Sequence, residues 1–130
     1  MKKIILKAKI NFKSELNLKN LSKINFEEKI ISKINILYDN KEFKLQELFK
    51  IEVQTSDKNE LIIFGTNRNC DYLGWKWKKG TLRIKSDVGS FLGVQMINGK
   101  IIVEGSCEHH VGSGMTGGNI FLKLNAHDFV

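Results

Sequence analysis

Apolar positions in the second half of the chain recur in aligned columns. Leu82-Arg83-Ile84, Ile101-Ile102-Val103 and Ile120-Phe121-Leu122 are short alternating runs of the kind that form half-buried strands. Between these runs, equivalent places hold similar residues. Leu73, Leu92, Val111 and Val130 are aliphatic; Tyr72, Phe91, His110 and Phe129 are mostly aromatic; Trp77, Met96 and Met115 are large; Val88, Cys107 and Ala126 are small. Glycines punctuate the columns as Gly74-x-x-Trp77-x-x-Gly80, Gly93-x-x-Met96-x-x-Gly99 and Gly112-x-x-Met115-x-x-Gly118. Segments 81–99 and 100–118 are 19 residues each, the upstream copy at 60–80 is 21, and a fourth copy starts at Asn119 and stops at Val130. A fixed period held in columns predicts stacked repeats. The expected fold is mainly β: a right-handed parallel β-helix of about three and a half coils over residues 59–130, with glycine supplying positive φ at the corners.

Residues 1–58 have a different texture. They are lysine-rich and hold none of the 11 glycines, and they are expected to form a small N-terminal α/β cap over one end of the coils. Asn25 reads as the N-cap of a short helix at Phe26-Glu27-Glu28-Lys29-Ile30-Ile31. Ile34-Asn35-Ile36-Leu37-Tyr38 alternates as a strand, Asp39-Asn40 supplies a turn, and Phe43-Lys44-Leu45 returns as a hairpin. A helical turn at Leu45–Phe49 leads into Ile51-Glu52-Val53, and the polar stretch Gln54–Asn59 is a junction. The start, Met1-Lys2-Lys3-Ile4-Ile5-Leu6-Lys7, begins like a signal peptide, but Lys7 and Lys9 cut its apolar stretch short. No apolar run approaches the roughly 20 residues of a membrane span, so a cytoplasmic protein is expected.

Composition adds less. A hydrophobic fraction of 42% is enough for a packed core. The net charge of +7 is concentrated in residues 1–58, which hold 13 lysines against 8 acids. Those lysines are interleaved with acids and asparagines, as on a solvated surface rather than a nucleic-acid face. Cys70 and Cys107, the 2 cysteines, are expected as free thiols, with Cys107 pointing inward.

Candidate chemistry is sparse. Cys107-Glu108-His109-His110, with His127 one repeat on, is a metal-like grouping. Its weak candidate ligands are Cys107 and His109, because a tetrahedral zinc site needs ligands that converge. Gly112-x-Gly114-x-x-Gly117 spells a dinucleotide fingerprint but lies between strands with no helix after it, so it cannot cradle a phosphate. No catalytic grouping is recognisable, and no catalytic residue, cofactor or metal is expected on this chain. Trp75-Lys76-Trp77-Lys78-Lys79 alternates aromatics with cations, as single-stranded nucleic-acid binders do. The more economical reading puts Trp77 in the core column and leaves Trp75 outward as an anchor for a protein partner.

Over Ser86–Gly99 and Gly112–Gly118 the sequence resembles the GXGXG β-helix domains. These occur at the C-terminus of the glutamate synthase large subunit and in the β-helical, C-type subunit of formylmethanofuran dehydrogenase. Ile34–Tyr38, then Lys44–Ile51, and the two-residue extension within 65–74 are similar to the second of these, and the resemblance covers residues 25–130. It implies a shortened homologue of that β-helical subunit, archaeal and serving the first reduction step of methanogenesis from carbon dioxide. In that complex other subunits hold the metal–pterin site, the dinuclear metal site and the iron–sulfur clusters. Two functions are therefore carried forward. One is a non-catalytic structural or interaction subunit of an oxidoreductase complex. The other is a free-standing module that binds nucleic acid or another anion through Trp75–Lys79. The last residues, with Phe129 and Val130 entering the inward columns, are expected to be covered by a partner subunit or by a second copy in a homodimer.

Overall fold

The structure is a computed structural model that describes residues 1–123. Strand β1 (Lys2–Ala8) leads through β2 (Leu16–Asn17) to a 3-10 turn (Lys19–Ile24) and helix α1 (Glu28–Ile31). The hairpin β3 (Asn35–Tyr38) and β4 (Lys41–Lys44), helix α2 (Leu45–Leu48) and β5 (Phe49–Thr55) follow. Then come β6 (Glu60–Phe64), β7 (Cys70–Asp71), β8 (Thr81–Ile84), β9 (Lys100–Val103) and β10 (Asn119–Leu122).

These strands make two sheets. The larger has the order β10-β9-β8-β6-β1-β5 and is parallel from β10 to β1, with β5 antiparallel at its margin. The smaller has the order β4-β3-β2-β7, with only β2 and β7 parallel. The architecture is thus mixed α/β, and the expected right-handed parallel β-helix is corrected: the winding does not close into a solenoid. The reason is local. Each period contributes one regular four-residue strand, at Thr81, Lys100 and Asn119, and the remainder folds back on itself in tight turns. In those turns the Trp77, Met96 and Met115 N–H groups donate to the Gly74, Gly93 and Gly112 carbonyls at 3.0 to 3.1 Å. Of the other strands, β1 to β5 come from the glycine-free residues 1–58, and β6 and β7 from the upstream copy at 60–80.

Spacing nonetheless sets register. Leu82 lies opposite Ile101 and Ile101 opposite Ile120, so like residues stack along the ladder. One apolar core runs from Ile4 and Leu6 through Leu61, Ile63, Leu73 and Leu82 to Cys107 and Val111. It therefore crosses the expected boundary between residues 58 and 59. Polar bonds tie the layers as well: the Thr66 N–H donates to Ser86 Oγ at 3.0 Å and its hydroxyl to the Asp87 carbonyl at 2.7 Å.

The first residues form β1, with Ile4 and Leu6 fully buried and pairing on both sides. One further expectation changes. Asn25 does not cap α1. It ends the preceding 3-10 turn in the left-handed region, φ 47°, while Glu27 stands at the start of α1. A short amide side chain tolerates that conformation better than most. The hairpin turn at Asp39-Asn40 forms as expected, with φ of 53° and 61°.

Candidate interaction surface

The corner of each repeat is built around a residue that breaks the usual rule. Tyr72, Phe91 and His110 all have positive φ, at 65°, 63° and 59°. For a bulky side chain this costs about 1–2 kcal/mol. What offsets it is stacking. The Tyr72 and Phe91 rings lie 4.8 Å apart and those of Phe91 and His110 5.1 Å apart, each pair within 8° of parallel. Stacked pairs contribute about 0.5–1.5 kcal/mol each, so the two contacts of the ladder recover part of that cost. Lys19 reaches the top of this ladder from the 3-10 turn, with Nζ 4.5 Å from the Tyr72 ring centre.

Trp75 lies beside the ladder. It is half-buried, and its ring meets Lys19 Nζ at 5.0 Å and Lys76 Nζ at 4.7 Å. Trp77 is in the core, 3% exposed, edge-on to Phe26 and donating its indole N–H to the Gly80 carbonyl at 3.0 Å. The five-residue aromatic–lysine run is therefore split, with one tryptophan inside and one at the surface. Lys76, Lys78 and Lys79 are all exposed.

Below the ladder lies an open polar hollow of about 350 Å³ where Glu15, Arg68, Asp71, Glu108 and His109 meet. The Ser90 N–H donates to Asp71 Oδ1 at 2.8 Å, and Arg68 Nε pairs with Glu108 at 3.4 Å. Partial burial and a hydrogen bond with Glu15 push the Asp71 carboxyl up to about 6, with the nearby Glu15 and Glu108 charges adding to the shift. The residues 71, 90 and 109 share a repeat position, which sequence spacing could have shown. Glu15 and Lys19 carry no sequence signal, because both arrive from the glycine-free half.

The expected metal candidates are not brought together. Cys107 is fully buried in the core, while His109 is exposed at the hollow. Among the described residues, no group of three His, Cys, Asp or Glu side chains is arranged to hold a metal ion. Burial pushes the Cys107 thiol up, and pushes the Cys70 thiol up to about 12. The six repeat glycines Gly74, Gly80, Gly93, Gly99, Gly112 and Gly118 all have positive φ, between 66° and 86°. The interface candidates Phe129 and Val130, and the covering of the terminal repeat, lie outside the described residues.

The chain resembles part of a formyl-transferring assembly. The similarity is to a chain in the crystal structure of the formyltransferase/hydrolase complex FhcABCD from Methylorubrum extorquens, solved in complex with methylofuran. The two share a TM-score of 0.75 and 28% identity over 91% of this chain. The match spans 45% of the solved chain, less than half its length. No protein-family model matches the sequence, and no functionally described protein sequence matches it. The structural relative thus belongs to a formyltransferase/hydrolase complex, not to the dehydrogenase that the sequence resemblance implied. Among the described residues, no helix is long and apolar enough to cross a membrane.

Proposed function

We propose that this chain is a non-catalytic structural subunit of a complex that handles formyl groups on a furan-bearing one-carbon carrier. The observation that carries this reading is the match in fold, at a TM-score of 0.75 over nine-tenths of the chain, to a chain of a formyltransferase/hydrolase complex. The glycine phrases at residues 86–99 and 112–118, which resemble those of a formylmethanofuran dehydrogenase component, point to the same carrier class by a separate route. Between the two, the formyltransferase/hydrolase type of complex is the better supported home.

The side chains fit a scaffold. Both cysteines are buried with thiols held protonated, so neither serves as a nucleophile. The polar hollow is wide open to water, and its acidic groups are engaged with a backbone N–H, an arginine and one another. What the surface offers is a rigid, layered corner with Trp75 at its edge, the kind of half-buried aromatic that anchors protein partners. A nucleic-acid module is less well supported. The Trp75 ring is already held by two lysines, and Trp77 is unavailable for stacking.

The test is affinity purification of the chain at native expression, with mass spectrometry of what accompanies it. Stoichiometric recovery of formyltransferase/hydrolase or metal–pterin subunits is expected, with Trp75→Ala reducing it. Recovery of the chain alone, or binding to single-stranded nucleic acid that Lys76→Ala and Lys78→Ala abolish, would overturn the proposal.

A further inference from the structure

Strand β5 ends the six-stranded sheet on one side. Two hydrogen bonds fix which of its backbone groups are used. The Ser56 N–H donates to the Met1 carbonyl and the Lys9 N–H to the Leu48 carbonyl, both at 2.9 Å. With the register Leu6 to Ile51 and Ile4 to Val53, Lys50, Glu52 and Gln54 turn their peptide groups toward β1. Ile51, Val53 and Thr55 therefore direct theirs away from the sheet, whereas the Phe49 N–H is used within the chain, donating to the Leu45 carbonyl. The strand is seven residues long and contains no proline or glycine, and its pairing with β1 runs without a bulge. Natural edge strands of this length are normally blunted by such devices, because an open ladder recruits another strand.

The side chains of this edge are complementary to themselves. On the outer face Lys50 and Glu52 are exposed and opposite in charge. On the inner face Phe49, Ile51 and Val53 line an open groove of about 460 Å³, floored by Ile31 of α1. We propose that β5 pairs antiparallel with β5 of a second copy of this chain, about a two-fold axis at Ile51. This axis sets Lys50 of each copy opposite Glu52 of the other, giving two cross-strand ion pairs, and sets Phe49 opposite Val53 on the inner side. Placing the axis at Glu52 would oppose the two Glu52 carboxylates. Placing it at Val53 would pair Glu52 with Gln54 and leave no ion pair. The inner-face row of the second copy closes the groove against α1, and the two larger sheets become one continuous sheet. The inference is independent of the formyl-carrier reading, since it rests on the register and charges of β5 alone.

Light scattering coupled to size-exclusion chromatography, run on the full chain over a range of concentrations, tests it. The expected result is a concentration-dependent dimer whose dissociation constant rises about tenfold in Lys50→Glu and in Glu52→Lys, each of which opposes like charges. The double variant K50E/E52K restores the pairs and should restore the dimer. Both positions are exposed, and circular dichroism of each variant establishes that it is folded. A monomer at every concentration, a dimer indifferent to the single changes, or a double variant that fails to recover would each overturn the proposal. So would protection of β5 by a different protein instead of a second copy.

Discussion

Asp71 accepts the Ser90 N–H at 2.8 Å while sharing a hydrogen bond with Glu15, and so joins three layers of the molecule through one carboxyl group. Asp87, at a different repeat position, repeats half of this arrangement, accepting the N–H of Ser106 at 2.8 Å. Asp71 has a second acid beside it because its layer is overlaid by the segment leading into β2.

That pairing gives the fold a pH dependence of unusual sign. The Asp71 carboxyl sits near 6 in the folded chain against 3.8 unfolded, so the folded state holds the proton more tightly. Stability from this group is fully present below about pH 4 and is lost as pH rises through 6. Asp71→Asn keeps an acceptor for Ser90 but cannot ionise. Thermal melts from pH 4 to 7 should show the variant gaining on the parent chain, by about 1 kcal/mol at pH 7 once solvent screening of this half-exposed group is allowed for. A constant offset between the two chains across that range would refute the assignment.

Glycine substitutions should separate two costs. Gly99 has φ of 86°, and a Cβ there would lie 2.7 Å from the Gly80 carbonyl oxygen, which is backbone and cannot yield. Gly114 also has positive φ, 71°, but its Cβ would meet only Gln95 Cγ, at 3.5 Å. Gly114→Ala is expected to lose about 1 kcal/mol, the conformational cost alone, and Gly99→Ala well over about 2 kcal/mol. Denaturant unfolding of the pair measures the difference. Equal losses would mean that the close approach of the two layers at Gly99 does not constrain the chain.

The thiols give a third readout. Cys70 and Cys107 are buried and shifted upward, Cys70 to about 12. An aromatic disulfide reagent at about pH 8 should modify neither in the folded chain and both after denaturation, because attack requires an accessible thiolate. Rapid native labelling of either would place that residue outside the core.

Much of the core is readable from the sequence. Leu73, Leu92 and Val111 are buried in a row, as are Val88 and Cys107, because parallel strands in register put residues one period apart directly over each other. The closure of the architecture is not readable in the same way. A period fixes what stacks on what, but it does not say how many strands each period contains. Ile4-Ile5-Leu6 shows no clear two-residue alternation, so β1 is hidden until Lys3 is seen paired with Glu60, far along the chain. The acid pair in the hollow is equally hidden. Asp71 belongs to a repeat position, but Glu15 reaches it only through the β2–β7 ladder, where Leu16 pairs with Cys70.

The placement of β1 has a consequence for the order of events in folding. It lies in the interior of the larger sheet, hydrogen-bonded to β5 on one side and β6 on the other, and precedes both in the chain. It therefore waits for residues 49–64 before both of its edges are satisfied. Loop closure over that distance is the slow, entropically costly kind. β1 fastens the glycine-free half to the ladder of short strands, so the final packing of the two halves against each other depends on its insertion.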